Sequence, residues 1–153
     1  MPDKILFVCL GNICRSPTAE GVFRARRPDV TCDSAGTAGW HIGAAPYGPM
    51  QAAARGRGVN LSDLRARQLT SSDFERFDLI LGMDQNNIDD INSLRPLGNE
   101  TPVRLLTDYL KNNHADAVPD PYYTRDFEGA LDLIEEAIDG LCSVIDERPM
   151  RRV

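Results

Sequence analysis

Two rhythms of apolar residues organise this chain. Ile5-Leu6-Phe7-Val8 is an unbroken apolar run, the pattern of a strand covered on both faces. Val30–Gly36, Asp78–Met83 and Val103–Leu106 read as three further strands. Between the strands the apolar positions recur at helical spacing. One helix is predicted from Pro17 to Arg27, with Ala19, Val22 and Phe23 as its stripe. Another runs from Pro49 to Arg57, closed by Gly58. Thr70–Phe77 predicts a short helical turn capped by Ser71 or Ser72, and Gln85 to Leu94 a helix ended near Pro96. Phe127 to Asp146 predicts the longest helix, its core face made of Leu131, Ile134, Ala137, Ile138, Leu141 and Ile145. Strands alternating with helices imply an α/β fold: a single-domain three-layer sandwich with a four-stranded parallel sheet flanked by helices. In such a sheet ligands bind beyond the carboxyl ends of the strands. Cys9, Ser34 to Trp40 and Met83-Asp84 all fall on that rim. The basic tail at 148–153 is expected to be disordered.

The length of 153 residues suits one domain with a proper core. A net charge of −6 argues against nucleic acid or an anionic membrane as partner. No apolar run approaches the roughly 20 residues that span a bilayer, and no signal peptide is visible, so a cytoplasmic protein is expected. The four cysteines, Cys9, Cys14, Cys32 and Cys142, lack metal-ligand spacing and should be reduced at rest. No metal and no cofactor is expected; Cys32 and Cys142 read as core residues.

The chemistry concentrates in Cys9-Leu10-Gly11-Asn12-Ile13-Cys14-Arg15, between the first strand and the first helix. Ser16 reads as N-cap, Pro17 as the first helical residue, and an acidic residue follows in the first turn. A strand turning sharply into a helix points several backbone N–H groups into one concavity, which favours an anion. A thiol at the mouth of that concavity, beside a cation, is primed to react as its thiolate. Arg15 supplies a planar fork suited to two phosphate oxygens. Gly11 lets the backbone close tightly, and Asn12 tolerates left-handed geometry and can tie the loop down through its amide.

Cys-x5-Arg-Ser after a buried strand is the phosphate-loop signature of protein tyrosine phosphatases. The wording CLGNICRSP closely resembles the low-molecular-weight protein tyrosine phosphatase family. The resemblance spans Lys4 to about Ile145. It implies hydrolysis of protein phosphotyrosine through a phosphocysteine on Cys9, with Arg15 binding phosphate. It also implies that Ser16 both caps the helix and contacts the Cys9 sulfur, within a network of Asn12, Ser16 and Ser34. Pro119-Asp120-Pro121-Tyr122-Tyr123 looks like the family's general-acid motif, which makes Asp120 the proton donor. By spacing alone a plain Pro-Asp-Pro turn is the stronger reading, and the resemblance reverses it. Trp40, Ile13 and Tyr122 match positions that shape substrate preference. Trp40, Tyr122 and Tyr123 would wall a phenyl ring, and Leu10 and Ile13 would line the entrance. Cys14 matches a partner for reversible oxidation of Cys9. Asp84 and Arg67 match residues that brace the rim. Leu64 departs from the pattern, since some members carry histidine there.

An arsenate reductase of the same fold would need two further redox cysteines close together after the third strand, and Gly82 to Leu94 holds none. A catalytically dead phosphotyrosine-binding module would lack the nucleophile or the acid, and both are present. No G-x4-G-K-[ST] motif occurs. The implied partners are phosphotyrosine proteins. A bacterial tyrosine kinase of polysaccharide export is one candidate the residues do not identify. A monomer or a weak homodimer are both open.

Overall fold

The computed structural model describes residues 3–146. Four strands, β1 (Lys4–Cys9), β2 (Thr31–Gly36), β3 (Leu79–Gly82) and β4 (Val103–Leu105), form one all-parallel sheet in the order β2-β1-β3-β4. The chain adds β2 on one side of β1 and β3 on the other, so the strand order reverses at β1. This is where an open parallel sheet leaves a crevice beyond its carboxyl edge. The expected α/β architecture is present, with helices on both faces. The basic tail at 148–153 lies outside the described residues.

The run Ile5 to Val8 has no exposed surface. Alternate residues feed two cores, as strand geometry requires. Ile5 and Phe7 join Phe23, Met50, Leu131, Ile134 and Ile138 beneath helices α1 (Arg15–Arg26), α2 (Gly48–Arg55) and, in chain order, α6 (Phe127–Asp146). Leu6 and Val8 join Phe74, Phe77, Ile80 and Ile91 beneath α3 (Asp73–Arg76) and α4 (Gln85–Ser93). A one-turn helix, α5 (Pro121–Thr124), precedes α6 and was not expected from the sequence. Leu106 leaves the fourth strand and begins a 3-10 turn, Leu106–Tyr109, which packs on α6.

Several helix ends differ from the expectation. The first helix starts at Arg15, with Cys14 at the N-cap position, no side-chain cap and no acidic residue in the first turn. Ser16 is therefore not the cap, because its hydroxyl is taken up by the loop. Glu20 sits beyond the first turn. The second helix closes at Gly56 rather than at Gly58. Ser72 stands at the N-cap position of α3 but makes no side-chain cap bond, and the buried carboxylate of Asp73 accepts from the Thr70 N–H. Arg26 and Arg27, at the end of the first helix, bind Asp139, Glu135 and Asp146 on α6. Cys32 and Cys142 are half-buried against the core rather than inside it.

Candidate active site

Cys9 ends β1, and the next five residues turn the chain into α1. The loop carbonyls are held from outside. Cys9 O accepts from Thr37 N at 2.9 Å, Leu10 O from Ala38 N at 2.9 Å, and Ile13 O from Tyr47 N at 2.8 Å. A trans peptide carries its C=O and N–H on opposite sides. The N–H groups of Leu10, Gly11 and Cys14 thus point the other way, toward the concave side of the loop. Asn12 takes the left-handed backbone (φ 57°), and its N–H lies 3.3 Å from Cys9 Sγ. Gly11 does not need a positive φ. What it needs is room, since a Cβ there would meet His41 Cδ2 at 3.0 Å. Gly36 is constrained likewise by the Leu10 carbonyl, 2.8 Å from where its Cβ would be.

The side chain of Asn12 organises what lies behind the sulfur. Its Oδ1 accepts from Arg67 N at 3.0 Å, which fixes the amide orientation. Its Nδ2 donates to Ser16 Oγ at 2.7 Å and to Ser34 Oγ at 3.0 Å. The Ser34 hydroxyl donates onward to the Glu20 carboxyl group at 2.6 Å, and the Ser16 hydroxyl and Cys9 Sγ share a hydrogen bond at 3.0 Å.

Arg15 is 2% exposed. Its Nη1 donates to Asp84 Oδ2 at 2.8 Å and to the Val118 carbonyl at 2.9 Å. Its Nη2 lies 3.5 Å from Asp120 Oδ2. Its Nε is buried and has no hydrogen-bond partner among the described residues. Asp84 is itself fixed, as N-cap of α4, by the Asn87 N–H at 2.8 Å. Asp120 stands just before α5, where its Oδ1 accepts from Tyr122 N at 3.1 Å. The residue is extended as expected of a position before proline, but the chain then coils into a helical turn.

Cys9 and Asp120 face one cleft. Cys9, Leu10, Gly11, Ile13 and Cys14 form its floor, and Trp40, His41, Asp120, Tyr122 and Tyr123 its walls. Trp40 is 70% exposed and Tyr123 67%, so neither is a hydrophobic plug. The Tyr122 and Tyr123 rings meet edge to face at 5.3 Å. Of the residues expected at the site, all but Arg15 and the buried Asn12, Ser16 and Ser34 line this cleft, and Arg15 adjoins it through Asp120. Sequence reasoning missed the wall position of His41, the Val118 carbonyl under Arg15, Tyr47 beside the loop, and Glu20. Of these only His41 carried a signal, as a histidine in a Gly-rich loop after a strand.

Two buried acids deviate from their ordinary behaviour. Burial pushes the Cys14 thiol up to about 12, with the charges of Asp120 and Cys9 adding to the effect. Burial likewise pushes Glu20 up to about 7, against the lowering effect of the Ser34 hydrogen bond. Among the described residues, no cluster of His, Cys, Asp and Glu could hold a metal ion, and no helix is long and apolar enough to cross a membrane.

The family model for low molecular weight phosphotyrosine protein phosphatase matches residues 4–150. The chain belongs to this family. It is 39% identical to the low molecular weight protein-tyrosine-phosphatase YfkJ of Bacillus subtilis over 150 residues, 94% of this chain and 96% of that one. Its fold matches the crystal structure of YfkJ with a TM-score of 0.90, covering 96% of each chain. The low molecular weight protein-tyrosine-phosphatase of Streptomyces coelicolor is 41% identical over 160 residues, 97% of this chain and 96% of that one. The solved structure titled DARP, a drosophila arginine phosphatase, shares the fold at TM-score 0.89 and 27% identity, covering 95% of this chain and 99% of that one. The protein is thus a low molecular weight protein-tyrosine-phosphatase, an enzyme that dephosphorylates.

Glu20 of this phosphatase has a stability consequence. Its folded-state value of about 7 lies above the ordinary 4.5. The folded state therefore holds the extra proton, and stability falls as pH rises from about 4.5 to about 7, by roughly 3 kcal/mol at most. Glu20→Gln should remove that fall. Urea unfolding at pH 5 and pH 7.5 checks it, and an equal decline in wild type and variant would refute the assignment.

Proposed function

We propose that the phosphatase hydrolyses aryl phosphate monoesters, phosphotyrosine in proteins above all, through a phosphocysteine on Cys9. The Cys9 thiolate attacks phosphorus in line, and the P–O bond to the phenol breaks. Asp120 delivers its proton to the departing oxygen. Water then attacks the phosphocysteine with Asp120 as base. Inorganic phosphate leaves, and Cys9 regains its thiolate. The hydroxyl of Ser16 stabilises that sulfur as leaving group. The loop N–H groups and Arg15 hold the phosphoryl oxygens as charge builds in the transition state.

The observation that carries this reading is the arrangement around Cys9 and Arg15. One sulfur takes a hydrogen bond from Asn12 N–H and shares another with the Ser16 hydroxyl. Close by, a buried guanidinium keeps Nε without a protein partner while Asp84 and Val118 hold its Nη1. Asp120 lies in the same cleft. An oxyanion over the sulfur would supply what Nε lacks. The aromatic walls Trp40, Tyr122 and Tyr123 favour an arene over a short alkyl ester. As substrates, phosphotyrosine proteins follow from these walls, and a bacterial tyrosine kinase is one such candidate.

Turnover of phosphotyrosine, phosphoserine, phosphoarginine and arsenate by wild type and Cys9→Ser tests the reading. Phosphotyrosine should lead, and Cys9→Ser should abolish its turnover while still binding vanadate. Preference for phosphoarginine, the chemistry named for DARP, would overturn the aryl specificity, and turnover by Cys9→Ser would overturn the nucleophile. Asp120→Ala should lower kcat/KM for phenyl phosphate by about 10²- to 10⁴-fold, and much less for 2,4-dinitrophenyl phosphate, whose phenolate leaves unaided. An equal loss for both esters argues against proton donation.

Cys14 forms part of the same floor, and we propose it as the resolving partner of an oxidised Cys9. In the resting enzyme burial keeps its thiol protonated. Conversion of Cys9 to a sulfenic acid removes one of the negative charges that disfavour the Cys14 thiolate. Peroxide inactivation should be reversed by dithiothreitol in wild type and become permanent in Cys14→Ser. Equal recovery of the two would sink the idea.

A further inference from the structure

Arg15 ties Val118 and Asp120 to the phosphate loop, but the rest of the Asp120 turn needs its own anchor. Much of that turn is exposed: Tyr122 by 39% and Tyr123 by 67%. At its start, Val118 N–H binds the Met83 carbonyl at 2.9 Å. At its end stands Arg125, one of two non-glycine residues with positive φ among the described residues (φ 64°, ψ 14°). A residue with a side chain keeps that backbone only where its surroundings insist on it.

The surroundings of Arg125 do insist. Its N–H closes α5 onto the Pro121 carbonyl at 2.9 Å. Its guanidinium carbon lies 5.3 Å from the Tyr47 ring centre and 5.1 Å from that of Phe127. Its Nη1 donates to the Tyr47 hydroxyl at 2.9 Å and reaches the Tyr122 carbonyl at 3.4 Å. Tyr47 is the other half of the arrangement. Its backbone N–H holds the Ile13 carbonyl of the phosphate loop at 2.8 Å, while its ring packs 5.1 Å from that of Tyr122. One tyrosine thus grips the nucleophile's loop with its main chain and the acid's turn with its side chain.

We propose that Tyr47 and Arg125 form a latch that registers the Asp120 turn on the phosphate loop, and that both are positioning residues for protonation of the leaving group. The latch rests on the reading of Asp120 as proton donor. Phosphate binding is left to Arg15 and the loop amides, which neither latch side chain touches. Displacing a reacting group by about 1 Å costs on the order of 10²-fold. Loss of the latch therefore falls on the step that needs the proton and spares esters that do not.

The test measures kcat/KM for phenyl phosphate and 2,4-dinitrophenyl phosphate, and inhibition by inorganic phosphate, in the full chain. Arg125→Met removes the donors, and Arg125→Gly removes them while suiting the left-handed backbone, so one variant stays informative if the other folds poorly. Tyr47→Phe removes only the hydroxyl. The Arg125 variants should lose about 10- to 100-fold on phenyl phosphate and no more than about threefold on the dinitrophenyl ester, with phosphate inhibition kept. Tyr47→Phe should lose less, Arg125→Lys should recover part of the rate, and the double variant Tyr47→Phe/Arg125→Met should be no worse than Arg125→Met. Equal losses on the two esters, or full activity of both Arg125 variants, overturn the latch. Asp120→Ala runs beside them: if it separates the esters and the latch variants do not, the latch alone fails; if it does not separate them, the proton-donor reading fails.

Discussion

Arg15 is a full positive charge taken almost entirely out of water, and much of the architecture follows from the need to compensate it. An uncompensated buried ion costs several kcal/mol. Its compensation comes from Asp84 at the end of β3 and from the Val118 carbonyl on the way to Asp120. Three distant segments are thereby pinned at one point beyond the sheet. Asp84 is held by its own helix through Asn87, so the anchor cannot swing away. The orientation of the guanidinium is set by the fold before any ligand arrives, which is what preorganised electrostatic stabilisation demands.

A second set of constraints works from behind. Asn12 spends both amide protons on Ser16 and Ser34, and its oxygen on the main chain of Arg67. Arg67 is in turn braced by Asp33 and by Asp73, which has no exposed surface. The loop is thus fastened to β2 and to the connector that follows α2. A hydrogen-bonded chain runs away from Asn12 on both sides, to the sulfur through Ser16 and to Glu20 through Ser34.

The framework was legible because it is written in local periodicity. Ile5 to Val8 announces a strand covered on both faces, and the apolar stripe of Phe127 to Asp146 announces a long amphipathic helix. The loop was legible because a strand, a Cys-x5-Arg turn and Pro17 occur in one short stretch. What the sequence hid is what tertiary contact decides. Ser16 reads as an N-cap by residue type, yet Asn12 and Cys9 claim its hydroxyl. Pro119-Asp120-Pro121 reads as extended, yet the next residues coil because Arg125 accepts a left-handed backbone braced by two rings. Glu20 reads as the acidic residue of the first helical turn, yet it lies beyond that turn, where β2 covers it with Ser34. Tyr47 and Arg125 stand 78 positions apart, and no local pattern joins them.

The strand that carries Cys9 also fixes how this protein can fail. The main chain of β1 is hydrogen-bonded to parallel neighbours on both edges, and its central side chains are shielded on both faces. Such a segment opens only when the whole molecule does. The sulfur therefore rides on the last part of the chain to come apart, whereas the carboxylate rides on an exposed turn that can fray early. On the mechanism proposed for Cys9 and Asp120, the molecule under mild denaturing stress would pass through a form that still captures oxyanions but no longer releases a phenol quickly. Ligand retention and turnover would then decay at different points along the same titration.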